Sequence, residues 1–249
     1  MQRFFDRRTL LLFLILIYLG PIRSIMNGGA AGLGDWIVNT LITIPGIIVG
    51  LSFHEYAHAM VAYKCGDVTP KVMGRCTVEP QAHVDLFGIL SLLFIGFGWG
   101  KPVVVNPANF RNRRRDSILV GIAGVTMNLI LALVFGLILK VLVSAVPAIL
   151  TTSFGHTIFM MFYYVIIINV SLMLFNLLPV PPLDGFNVFT EIFHLEKTQF
   201  HHFVYRNSMV ILLVLIILDV PHMLLTRPLY AIVNFITTTI FHIFRRSVS

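Results

Sequence analysis

Two histidines four residues apart, with a glutamate between them, could do chemistry: His54-Glu55-Tyr56-Ala57-His58. On a helix, positions i and i+4 lie one turn apart on the same face, so both imidazoles can reach one tetrahedral metal ion. Glu55 then projects nearby as a base for a water molecule. The run lies inside an apolar stretch, 36–63, with Asp35 at its start and Lys64 just past its end. Ionisable groups are costly in a membrane helix, and such a cluster marks a functional site by default. The bland alternative is hydrogen bonding between helices. The metal-ligand spacing favours zinc.

A hydrolytic zinc ion takes three protein ligands and keeps one position open. The candidate for the third is Asp184, in Asn176-Leu177-Leu178-Pro179-Val180-Pro181-Pro182-Leu183-Asp184-Gly185. The prolines must end a helix there and expose backbone groups that lipid cannot satisfy, so the break should line a watery cavity enclosed by protein. Taken alone, Asp184 reads equally well as the N-cap of a following helix. Beside the histidine pair at matching depth, it reads as the third ligand.

The elements that must position these groups are membrane helices. The chain has 249 residues, 57% of them hydrophobic and 12% charged, with a mean hydropathy of +0.88. A soluble domain carries about 25% charged residues, so lipid must solvate most of this surface. The net charge of +7 then reports orientation and contact with anionic lipid, and a nucleic-acid partner is not expected. Cys65 and Cys76 are too few for a disulfide scaffold and fit no zinc-knuckle spacing; they are expected as free thiols in a loop.

Stretches long enough to span occur at 36–63, 117–146, 157–178 and 207–225, with a weaker one at 228–244. Arg3, Arg7 and Arg8 precede an apolar run that reads as an uncleaved first helix, Thr9 to Ile25. The stretch Leu86 to Trp99 is too short to span and rich in glycine, which suits a re-entrant segment. Gly66 to His83 has the turn residues of a small hairpin, and Lys101 to Pro107 reads as extended chain. The expected fold is an all-α polytopic membrane protein of about six transmembrane helices, with a re-entrant segment and a small β-hairpin or loop insert. Three regions follow: 1–35, an N-terminal helix and linker; 36–185, the catalytic membrane core; and 186–249, an interfacial helix and the C-terminal membrane helices.

Basic loops face the cytoplasm. Placing Arg111, Arg113, Arg114 and Arg115 there, together with the N-terminal arginines and Arg245 and Arg246, is consistent if 86–99 does not cross. The helices bearing His54–His58 and Asn176 then both run inward, so the two motifs can meet near the cytoplasmic side.

HEYAH in an early span, followed about 120 residues later by NLLPVPPLDG, resembles the site-2 protease (M50) family of intramembrane zinc metalloproteases. GDVTPKVMGRCTVEPQAHVD, GWGKPVVVNP and GVTMN resemble its small bacterial branch without a PDZ domain. The resemblance runs from Thr40 to at least Gly185. It implies one zinc per chain held by His54, His58 and Asp184, with Glu55 as the catalytic residue. It also implies Asn128 and Asn176 as polar supports that could donate to the oxyanion or hold the substrate strand. The expected substrate is a transmembrane protein or signal-peptide remnant, and the expected location is a bacterial inner membrane. Rivals are a catalytically silent adaptor of the same fold, or a zinc hydrolase acting on a lipid or amide. Two further expectations concern packing and access. Gly124, Asn128, Ala132 and Gly136 form a stripe that permits close helix approach, and Val103–Val105 could pair with an unwound substrate as an added strand. His83 could approach the site, whereas His194, His201, His202, His222 and His242 carry no metal role.

Overall fold

The computed structural model describes residues 7–95 and 99–243; Arg3, Arg245 and Arg246 lie outside them, as do residues 96–98 of the Leu86 to Trp99 stretch. The described chain is helical. Helix α1 runs Arg7–Lys64 and breaks at Gly29, whose φ of 58° and ψ of −143° glycine adopts without steric cost. The part beyond the break, Gly32–Lys64, has 33 residues. At 1.5 Å per residue it is about 50 Å long, more than the ~30 Å of a hydrocarbon core. Helices α5 (Arg113–Ala145) and α6 (Ser153–Asn176) are the other two long spans.

Each starts at a definite cap. Asn112 accepts at its side chain from the Arg115 N–H, while its own N–H donates to Asp116. Thr152 accepts from the Gly155 N–H. These bonds satisfy orphan donors at the helix ends, which lipid would leave unpaired.

Helices α1, α5 and α6 pack together as the centre of the molecule. Small residues let them approach: a Cβ on Gly46 would lie 3.1 Å from the backbone Cα of Val165. Without water to expel, such close packing is what holds membrane helices together. The largest apolar cluster joins Val125, Ala132 and Leu139 of α5 to Phe159, Ile166 and Val170 of α6, with Val233 and Ile236 from the C-terminal region.

Between α1 and α5 lies the insert. The expected hairpin does not form among the described residues. Two single-turn helices stand there instead, α2 (Thr69–Val72) and α3 (Pro80–His83). Pro70 and Pro80 each occupy the first turn, where a missing N–H costs nothing. Helix α4 (Leu86–Ile95) follows with ten residues, too short to cross. The chain leaves it and returns to its starting point: Val84 and Gly100 form an antiparallel bridge, and the Lys101 N–H donates to His83 O at 2.6 Å. This is the geometry expected of a re-entrant segment.

After α6 come α7 (Asp184–Ile192), α8 (Gln199–Arg206), α9 (Ser208–Ile217) and α10 (Val220–Asn234), the last continued by a π-helical stretch, Phe235–Ile240. The expected span 207–225 is therefore not one helix. It breaks at Asp219, which is left-handed with φ 56°, and the spanning candidate there is Val220–Ile240. Among the described residues, four helices are long and apolar enough to cross a membrane, or five if the bent α8–α9 pair counts as one. Six was the expectation. Composition and these helices make the chain a membrane protein.

Candidate metal centre

His54 and His58 lie on one face of α1, ten residues or fewer from its end at Lys64. Asp184 is the first residue of α7, with Leu183 at the N-cap and no side-chain cap bond. Its carboxylate does not cap α7; it turns to the histidines instead. Asp184 Oδ2 is 3.1 Å from Nε2 of His54 and 3.1 Å from Nε2 of His58, and the two Nε2 atoms are 3.0 Å apart. The two motifs read from the sequence thus meet, 126 residues apart along the chain.

Proton placement decides what this triangle can hold. His58 Nδ1 lies 2.7 Å from Val120 O, and a backbone carbonyl only accepts, so Nδ1 carries the hydrogen. His54 Nδ1 lies 2.6 Å from Asn128 Oδ1 and donates likewise. A neutral imidazole has one N–H, so both Nε2 atoms present lone pairs to each other and to a carboxylate oxygen. Three acceptors converging without a donor repel one another unless a cation sits among them. Ligand atoms on one tetrahedral zinc lie about 3.3 Å apart, close to the edges found here. The donor set fits zinc: two imidazoles oriented through their far nitrogens and one carboxylate.

Helix α5 reaches the rings because residue 124 is glycine. A Cβ there would lie 2.4 Å from His58 Nε2 and 2.5 Å from His54 Cε1. Gly124 belongs to the small-residue stripe, and its most exacting contact is with the ligands themselves.

Glu55 is half-buried, and its Oε2 accepts from the Val103 N–H at 2.9 Å. The segment 101–106 therefore lies across the Glu55 carboxylate. Asp67, fully buried, holds that segment in place. Its carboxylate accepts from the Asn106 N–H, the Asn109 side chain, and the N–H and hydroxyl of Thr69. Burial alone would raise the Asp67 pKa, but these bonds hold it below the ordinary carboxylate range.

The supports expected from Asn128 and Asn176 need revision. Asn128 is completely buried, and its amide is committed: Oδ1 accepts from His54, and Nδ2 donates to Gly50 O at 3.2 Å and to Asn169 Oδ1 at 2.9 Å. It has no hydrogen left for an oxyanion and acts on the ligand instead. Asn176 donates to Leu172 O of its own helix. It also lines a cavity of about 290 Å³ with Asp184, Gly121, Val125 and Val188. His83 stays within the insert, bonded through Nε2 to Thr77 O, outside the metal cluster. Cys65 and Cys76 are free thiols. Asn169, Asp67 and the Val120 carbonyl escaped the sequence reading. A lone asparagine in an apolar span was the one available signal, because such a group is expensive in lipid.

At the far end of α7, Arg114 donates to the carbonyls of Glu191 and Ile192, and Arg113 pairs with Glu196 at 2.9 Å. Glu191 is raised to about 7 by burial and by sharing a proton with Glu196.

A helix-borne HExxH pair completed by a carboxylate from a later helix defines the class of zinc-metallopeptidase sites, here among membrane helices. The family model of peptidase family M50 matches residues 42–215, and the chain belongs to that family. It is 44% identical over 146 residues to YwhC of Bacillus subtilis, named as a candidate zinc metalloprotease, covering 59% of this chain and 66% of that one. It is 32% identical over 184 residues to Rip2 of Mycobacterium tuberculosis, similarly named, covering 68% of this chain and 67% of that one. The chain thus spans about two thirds of the length of these relatives. No solved structure matches.

Proposed function

We propose that this protein is a zinc-dependent endopeptidase that cleaves peptide bonds in membrane-spanning segments, with its site toward the cytoplasmic face of a bacterial inner membrane. The observation that carries the reading is the triangle of His54, His58 and Asp184 with Glu55 beside it, enclosed by apolar helices. Bound zinc supplies Lewis acidity, polarising the scissile carbonyl and lowering the pKa of a water. Glu55 takes the proton as water oxygen adds to the carbonyl carbon, and returns it to the amide nitrogen as the C–N bond breaks. The Val103 N–H occupies one oxygen of Glu55 and so orients the other for that transfer. Substrate helices must unwind first, since their carbonyls are already bonded. The segment around the exposed Val104 offers a strand to pair with, and the cavity beside Asp184 and Asn176 seats an apolar side chain of the substrate.

The test compares wild type with Glu55→Gln, reconstituted in liposomes with a transmembrane peptide. Both should hold one zinc per chain, and the variant should lose cleavage by about 10²–10⁴-fold. Equal cleavage by the variant, or a wild type without zinc, would sink the reading. A silent adaptor would cleave nothing and would keep its cellular effect in the variant.

A further inference from the structure

Two buried asparagines stand in series behind His54. Asn128 on α5 and Asn169 on α6 are both completely excluded from solvent. From α6 inward, Asn169 Nδ2 donates to Val165 O at 2.9 Å, and Asn169 Oδ1 accepts from Asn128 Nδ2 at 2.9 Å. Asn128 Oδ1 then accepts from His54 Nδ1 at 2.6 Å. We propose that Asn169 is a positioning residue for the metal site, fixing the direction of this chain and thereby the tautomer of His54. The proposal rests on the zinc reading of the triangle and not on what the enzyme cleaves.

An amide side chain has nearly the same shape either way round, so only its neighbours decide which end faces where. If Asn128 turned over, its NH2 would face His54 Nδ1, which would have to accept. The ring hydrogen would move to Nε2, the atom aimed at Asp184 and His58, and that nitrogen could no longer bind a metal. Backbone carbonyls prevent this because they only accept. One is Gly50 O, against Asn128 at 3.2 Å. The other is Val165 O, which holds the Asn169 amide with its oxygen toward α5. Asn169 thus passes the fixed polarity of α6 to a side chain of α5 and through it to the ligand. Each buried N–H or C=O left unpaired by a reversal would lack both water and a partner, so the reversed arrangement is disfavoured. Plain interhelical glue would need the contact but not its direction.

The test measures zinc affinity by chelator competition, and the visible spectrum of the Co²⁺-substituted protein, in purified wild type, Asn169→Leu, Asn128→Leu and the double variant. Loss of a partner behind a metal-ligating histidine typically weakens the metal about tenfold or more. Asn169→Leu should weaken zinc by about that factor and shift the cobalt spectrum. In the Asn128→Leu background it should have no further effect. Wild-type affinity in Asn169→Leu with only a lower melting temperature would make Asn169 glue and overturn the proposal, as would losses that multiply in the double variant. If the leucine variant does not fold, Asn169→Thr and Asn169→Val provide an isosteric pair. Threonine can still donate to the carbonyl four residues back, as Thr237 does to Val233 O, and can still accept from Asn128. Threonine should bind zinc several-fold more tightly than valine; equal affinities refute the relay. A wild type that binds no zinc removes the site itself, a different failure from an insensitive Asn169.

Discussion

Each candidate metal ligand is fixed at its rear. His58 is held by a carbonyl of α5, His54 by Asn128, and Asp184 by its place at the head of α7. Gly124 adds a steric condition, since any side chain there occupies the space of the rings. Gly124→Ala should therefore weaken zinc by at least about tenfold, measured by chelator competition, while the helices still insert. A variant that binds zinc normally would mean that α5 can retreat. Val103→Pro removes the N–H that holds Glu55. A hydrogen bond to a charged group contributes about 1.5 kcal/mol or more, so kcat should fall about tenfold with zinc content unchanged. The sequence showed the ligand residues because histidine, glutamate and aspartate are rare and costly in apolar segments. Of their supports it offered Asn128, through the GVTMN motif; it could not show the others, because a carbonyl has no residue signature and Asn169 looks like any polar residue tolerated between helices.

Among the elements, α1, α5 and α6 were legible because their length and hydropathy leave no other solution in lipid. The insert was not. Gly66 to His83 has turn residues that serve a hairpin or a pair of helical turns equally well, and Pro70 and Pro80 at first-turn positions were the clue to the latter. The 207–225 stretch is predominantly apolar, and mean hydropathy does not register a left-handed residue such as Asp219. The insert depends on the Asp67 carboxylate, whose folded pKa lies below the ordinary value. Its contribution is complete above the unfolded pKa of about 4 and is lost as pH falls through the lower folded value. Asp67→Asn should cost about 1–3 kcal/mol at neutral pH and remove that acid dependence, as followed by thermal melts between pH 3 and 7. An unchanged melting profile would show that the segment is held elsewhere. Glu191 behaves oppositely: its raised pKa favours the fold at low pH, and this is lost as pH rises through about 7.

For the whole molecule, the metal site joins segments more than a hundred residues apart. Zinc that binds only the folded chain stabilises it by about 2.7 kcal/mol at a hundredfold excess over its dissociation constant. Chelation should lower the melting temperature by about 5–10 °C, and His58→Ala should be insensitive to chelator. A wild type that melts identically with and without chelator would refute this. The orientation is testable as well. In a cysteine-free background, Ser144→Cys, exposed at the far end of α5, should react with an impermeant maleimide added outside, whereas Gln81→Cys should react only after permeabilisation.

Helix α7 has a consequence of a mechanical kind. Its nine residues make a rod about 13 Å long, with the third ligand at one tip and the Arg114 clasp at the other. A displacement of the clasp would be carried along this short rod to Asp184. A factor that pulled the Glu191–Glu196 end away from Arg113 and Arg114 would act as a clutch, disengaging Asp184 while leaving both histidines in place.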